Sequence, residues 1–331
     1  MAPHRPSPCA LRTVLLAALA VAALAAAGCG GAGTPDRPEQ AATLVLDARP
    51  NAVHAGILLT VARDFDGAEG VDLRVRAPSP RRPPLHQLIG RRAQLALLDI
   101  HDLARARERG RDVVGVMALV QRPLAAILAR PAVRRPRDLA GRRVAVTGAA
   151  RDVAVLRAIV RGDGGVPDRV RPVRVGSSPV SALRAGRVSA ATGFWPAAEA
   201  AAGDGRPALR AFHVEDSGAP SYPELVLCVT RETLDEHPSL VRATVAALRR
   251  GYGEALIDPE SAVGALVDRY PALDRAAEQR VFDAVSPLFT AGAPRFGALD
   301  PPTLRAWASW EAQAGITRRP PDVARAFAPG F

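Results

Sequence analysis

Trp195 and Glu199 stand four residues apart in Thr192-Gly193-Phe194-Trp195-Pro196-Ala197-Ala198-Glu199. A ring at the carboxyl end of a strand, with a carboxylate one helical turn deeper, suits a flat heterocycle that bears an amino group. The heterocycle stacks on the indole, and the carboxylate accepts hydrogen bonds from the amino group or a protonated ring nitrogen. A second polar set lies in Pro50-Asn51-Ala52-Val53-His54. Asn51 offers both a donor and an acceptor, so it can cap a helix or bind a ligand, and His54 sits at the helix entrance. Tyr222, between Ser221 and Pro223, either closes one wall of a cleft or packs where the chain crosses over. Asp99 ends the apolar run Leu97-Leu98, as a ligand contact or as the N-cap of the next helix.

None of these sets makes or breaks bonds on its own. No GxSxG elbow or HExxH helix is present, so a hydrolase has no starting point. All 44 basic residues are arginine, and without a lysine no Schiff base to pyridoxal phosphate or a carbonyl substrate can form. No catalytic residue and no cofactor are therefore expected. The formal charge of +11 ordinarily points to nucleic acid. Here the arginines are scattered among acids, as in Arg105-Ala106-Arg107-Glu108-Arg109, and are not interleaved with aromatics. With so much Ala, Gly and Pro the pattern reads as the codon bias of a GC-rich genome, and nucleic acid is not expected as a partner.

Positioning these residues takes alternating strands and helices. Strands are predicted at 43–47, 71–75, 94–98 and 113–120, with helices at 54–64, 84–90 and 100–109 between them. A second series has strands at 143–146, 170–175, 190–192 and 209–213, with helices at 150–162, 180–185 and 197–202. Strands separated by helices imply an α/β fold with parallel pairing and right-handed crossovers. An extended stretch near 124–129 leads out of the first series, and an apolar one at 224–230 leads back. Helices at 240–256, 259–269, 276–286 and 301–314 close the chain. We expect two lobes, one from 42–126 plus 229–331 and the other from 127–228, with two crossings as a hinge. Gln121, in Gln121-Arg122-Pro123-Leu124, belongs to the first crossing.

The amino-terminal segment sets the compartment. Residues 1–12 carry Arg5 and Arg12 and no acid, 13–27 are apolar, and Gly28-Cys29 follows. This is a secretory signal over 1–28. Ala26-Ala27-Gly28-Cys29 resembles a bacterial lipobox, so Cys29 is read as lipidated, ahead of a plain signal peptide or an uncleaved anchor. The Gly/Pro-rich residues 29–41 form a tether. Cys9 leaves with the signal and Cys228 sits in an apolar strand, so neither a disulfide nor a thiolate zinc site, and no other metal site, is expected.

Leu44-Val45-Leu46-Asp47-Ala48-Arg49-Pro50-Asn51-x-x-His54, a strand running into a Pro-Asn turn and a helix, resembles the opening of the ThiY-like solute-binding proteins. These are relatives of the thiamine-pyrimidine synthases within the SsuA/ThiY/TauA superfamily. Gly193-Phe194-Trp195 with Glu199 resembles their Gly-x-Tyr-Trp-x-x-x-Glu segment, and Gly218-Ala219-Pro220-Ser221-Tyr222 their Gly-x-Pro-x-Tyr loop. The resemblance implies a type II periplasmic-binding-protein fold, two βα lobes joined by two crossing strands. It further implies a monomeric, extracytoplasmic lipoprotein of an ABC importer that meets a membrane permease and its ATPase. Its ligand would be a small molecule, a thiamine pyrimidine precursor such as hydroxymethylpyrimidine or formylaminopyrimidine, bound by Asn51, His54, Asp99, Trp195, Glu199 and Tyr222. Three features depart from the family: Pro196 replaces Asn, Ala48 replaces an aromatic residue, and the synthases' cysteine-rich motif is missing. A synthase-like enzyme, or a binding protein for riboflavin, sulfonate or nitrate, is the alternative.

Overall fold

In the computed structural model of the chain, which describes residues 40–176, 179–196, 198 and 208–331, the strands gather into two five-stranded sheets. The first contains β1 (Gln40–Val45), β2 (Val71–Arg76), β3 (Leu95–Asp99), β4 (Val113–Val120) and β10 (Leu225–Thr230), in the order β2-β1-β3-β10-β4. The second contains β5 (Ala125–Ala129), β6 (Arg143–Val146), β7 (Arg171–Arg174), β8 (Ala190–Phe194) and β9 (Arg210–His213), in the order β7-β6-β8-β5-β9. In each sheet four strands run in one direction, and the fourth in order is antiparallel to both its neighbours. Every residue of β3, β4 and β5 is buried, as a continuous apolar strand covered on both faces requires. Pro172, which cannot donate to a ladder, lies in the edge strand β7.

The antiparallel strands are exchanged between lobes. β5 leaves the first lobe to pair with β8 and β9, and β10 returns to pair with β3 and β4. Whole strands decide where the lobes divide. The expected limits at 126/127 and 228/229 fall inside β5 and β10, and the segments 121–124 and 214–224 link the two sheets. The reason is register: once a strand's first residue joins a ladder, the rest follows into the same sheet.

Strands β4 and β6 and the helices Ala150–Gly162 and Pro259–Arg269 occupy the predicted spans. The helix predicted over 54–64 begins instead as a 3-10 turn, Ala52–His54, and continues as Ala55–Ala62. That helix is pressed against the long helix Pro238–Ile257. A Cβ added at Gly251 would stand 1.9 Å from Thr60 Oγ1, and one at Gly56 2.6 Å from the Tyr252 ring. Glycine at both positions permits the close crossing. From the long helix Tyr252 donates its hydroxyl to the Val53 carbonyl at 2.7 Å. The crossing thus sets the height of the turn that carries Asn51 and His54. Cys228 is a free, buried thiol in β10, its pKa raised by burial. Among the described residues no helix is long and apolar enough to cross a membrane.

Candidate functional site

At the carboxyl ends of β1 and β8 the two lobes border a cleft of about 720 Å³. This is where open α/β sheets place their ligands, because loops there are free to vary while the strands hold their ends in place. The first lobe supplies the turn 47–54, Leu225 and, from the carboxyl-terminal helices, Tyr270, Leu273 and Glu278. The second lobe supplies Phe194 and Pro196. Leu124, at the start of the second lobe's exchanged strand, completes the wall.

The turn is wired by its own side chains. Asn51 Oδ1 accepts from the Val53 N–H at 2.9 Å and its Nδ2 donates to the Arg49 carbonyl at 3.0 Å, so Asn51 serves as the cap. His54 is fully buried. Its Nδ1 accepts from the Asn51 N–H at 3.1 Å, and its Nε2 lies 2.8 Å from Asp47 Oδ1. A nitrogen that accepts from an amide carries no proton, so the ring's proton sits on Nε2 and is donated to Asp47. Glu278 Oε2 accepts from the Ala52 N–H at 2.6 Å, and burial raises the Glu278 pKa above its ordinary value.

The other predicted residues go elsewhere. Trp195 is buried outside the cleft lining; its backbone N–H donates to the Leu124 carbonyl at 2.9 Å and its indole stacks on His213 at 5.5 Å. Its neighbours Phe194 and Pro196 are the ones at the cleft. Glu199 and Cys29 lie outside the described residues. Gln121 ties the first crossing to the carboxyl-terminal segment, through Leu288 and Ala298.

Asp99 and Tyr222 meet in a buried cluster at the crossings. Asp99 Oδ1 caps the following helix by accepting from the His101 N–H at 2.8 Å, and Oδ2 pairs with Arg151 of the second lobe. Arg151 also lies over the Phe194 ring, 5.6 Å from its centre. His101 Nδ1 is 2.6 Å from Glu311, and its Nε2 is 3.3 Å from the Tyr222 hydroxyl. The Tyr222 ring stacks on Trp310 at 5.6 Å. Glu224 Oε2 accepts from the N–H groups of Leu124 and Ala125, at 2.6 and 3.2 Å, and so joins the two crossings. Burial works to lower the His101 pKa, but the charges of Glu311, Asp99 and Glu224 outweigh it and hold the ring up at about 9. Burial and the charge of Asp99 push Glu224 up to about 7. Burial likewise raises Tyr222. Donor atoms of Asp99, His101 and Glu224 lie within 4.8 Å of one another. That is the donor set of a first-row metal site, but Arg151 already supplies Asp99 with its positive charge.

Sequence reading missed Asp47, Glu278 and Phe194 in the cleft, and His101, Glu224, Glu311 and Arg151 in the cluster. Asp47 carries a usable signal, a carboxylate just past the end of an apolar strand. Glu278 carries none, because it reaches the turn from 226 residues away.

The chain matches the family described as NMT1/THI5 like over residues 51–262. It is 25% identical over 287 residues to the formylaminopyrimidine-binding protein of Halalkalibacterium halodurans, covering 83% of this chain and 86% of that one. Among solved structures it resembles the alkanesulfonate-binding protein SsuA from Xanthomonas axonopodis pv. citri, with a TM-score of 0.68 and 16% identity. That likeness covers 88% of this chain and 99% of the other. The periplasmic aliphatic sulphonate binding protein SsuA from Escherichia coli gives a TM-score of 0.69 at 13% identity, covering 87% of this chain and 92% of that chain. The desulfurization enzyme DSZB gives 0.57 at 20%, covering 88% and 97%. These likenesses show the periplasmic-binding-protein fold. Since the fold houses both binding proteins and an enzyme, the site has to decide the function.

Proposed function

Because the chain belongs to the NMT1/THI5-like family, we propose that it is a solute-binding protein capturing a small nitrogen heterocycle between its lobes. The observation that carries this reading is the cleft itself: two carboxylates, Asp47 and Glu278, set among apolar and aromatic walls. Such a surface stacks a flat ring and accepts hydrogen bonds from its amino groups. Hydroxymethylpyrimidine and formylaminopyrimidine have that shape, and the name of the Halalkalibacterium relative agrees. Ala48 lines the cleft where an aromatic side chain is usual in the resembled family, which leaves room for a larger substituent.

In this reading the protein is exported, anchored through Cys29, and works as a monomer. The lobes close over the ligand by bending at 121–124 and 214–224, and the closed form docks to an ABC permease with its ATPase. No bond is made or broken. The alternative, a synthase-like enzyme, lacks its usual groups: the chain has no lysine, and Cys228 is buried in β10 away from the cleft.

A thermal-shift screen of the full chain against pyrimidines, thiamine, riboflavin, sulfonates and nitrate tests the proposal. A ligand at 100 times its dissociation constant stabilises by about 2.7 kcal/mol. A shift with sulfonates or nitrate alone would sink the heterocycle reading.

A further inference from the structure

Both carboxylates that line the cleft among the described residues lie outside residues 51–262, the span that the family match covers. They come from opposite ends of the sequence, and each is fastened through one oxygen only. Asp47 Oδ1 takes the Nε2 proton of His54, and Glu278 Oε2 takes the Ala52 N–H. Among the described residues the second oxygen of each accepts no hydrogen bond.

We propose that Asp47 and Glu278 together read the charge of the ligand. They take an edge that presents two N–H donors or a positive charge and refuse an anion, and His54 is the residue that positions Asp47. The inference rests on the cleft being the solute site, as proposed above.

The role of His54 follows from its two partners. The Asn51 N–H can only meet a lone pair, so Nδ1 is unprotonated and the ring is neutral. A neutral ring orients Asp47 without cancelling its charge. The full negative charge of Asp47 is then available at the cleft wall, where its side chain is 14% exposed. His54 borders the cleft but is itself fully buried, so it acts on a ligand through Asp47. Its place at the strand–helix turn is therefore that of a support rather than a contact.

Glu278 adds the second acceptor. Burial raises its pKa, and the Ala52 N–H offsets only part of the cost of the charged form in the free protein. A ligand that brings a donor or a positive charge supplies what is missing. Among the described residues Arg49 is the one arginine at the lining, and it is exposed to solvent, where its charge is screened. An anion entering the cleft would meet two carboxylates and little to offset them. This sets the site apart, in the charge it selects, from one built for a sulfonate.

Isothermal titration of the full chain decides the matter with three probes. They are 4-amino-5-hydroxymethyl-2-methylpyrimidine, its 4-oxo counterpart, and ethanesulfonate. The wild type should bind the amino compound, bind the oxo compound at least about tenfold more weakly, and give no heat with ethanesulfonate. Asp47→Asn and Glu278→Gln should each weaken the amino compound about tenfold and narrow the gap to the oxo compound. His54→Leu should act as Asp47→Asn does, whereas His54→Gln, which can still donate to Asp47, should retain affinity. Nitrogen-15 NMR of the wild type should show His54 with its proton on Nε2, a readout independent of any ligand. If the wild type binds the amino compound and both carboxylate variants match it, the inference falls and the proposed function stands. If the wild type ignores the amino compound, the functional reading falls and takes the inference with it. A charged or Nδ1-protonated His54 would overturn its positioning role alone.

Discussion

Asp47 lies just past β1 and Asp99 ends its parallel neighbour β3, and each has a histidine close behind it, His54 and His101. The two pairs have opposite fates. At His54 the Nδ1 partner is a backbone donor, so the ring stays neutral and Asp47 keeps its charge toward the cleft. At His101 the Nδ1 partner is a carboxylate, so the ring donates there and holds a proton to about pH 9. Asp99 is then closed off by Arg151, which crosses from the second lobe. The same residue types make a recognition surface in one place and a fastening between lobes in the other. What differs is whether the group facing Nδ1 gives or takes a hydrogen bond, and whether a cation arrives from the opposite lobe.

Removing the fastening between the lobes should have the most pronounced consequence. Asp99→Ala strands a partly buried guanidinium and should cost about 3 kcal/mol or more in urea unfolding. A loss under about 1 kcal/mol would mean that the Asp99–Arg151 pair is solvated like a surface bridge.

A pH series probes the same cluster without mutation. The folded His101 pKa, near 9, lies above its ordinary 6.5, so its stabilisation is complete below 6.5 and is lost as pH rises through 9. Glu224, raised from 4.5 to about 7, works in the same direction over a lower window. The melting temperature should fall between pH 6.5 and 9, by an amount equivalent to about 3 kcal/mol from His101. His101→Gln should flatten that slope; an equally steep variant would assign the loss to other groups.

Asp47→Asn sharpens the contrast from the other side. It should reduce affinity for the amino probe about tenfold while changing unfolding stability by less than about 1 kcal/mol. A variant that melts early and binds normally would make Asp47 a second fastening. The smallest effect is expected at Trp195. Replacing it with Phe should leave affinity within about threefold, because the ring stacks on His213 outside the cleft. A tenfold loss in titration would return the indole to the site.

Much of the scaffold was legible in the sequence because it is local. Continuous apolar runs such as Val113–Val120, and the periodic Ala150–Gly162, declare strand and helix by their own spacing. The Asn51 cap and the Asp99 cap were legible for the same reason, since each bonds within three residues of itself. Short helices such as Phe65–Ala68 and Arg231–Glu236 were not read, being too brief to show a period. Trp195 shows the limit of a motif. The segment was placed at the right strand end, but the cleft belongs to Phe194 and Pro196 on either side of it, a matter of which way alternate residues point.

Residue order alone specifies an α/β chain of two βα series, the strand–turn–helix that carries Asn51 and His54, and the family resemblance. Long-range folding, by contrast, sets the His54–Asp47 pair at the cleft, brings Glu278 to the turn from the carboxyl-terminal helices, and pairs Asp99 with Arg151. Local propensity acts over a few residues and is written in their order. The charge of a site depends on which groups the fold brings together, Asp99 with Arg151 across 52 positions and Ala52 with Glu278 across 226, and no spacing in the chain encodes that.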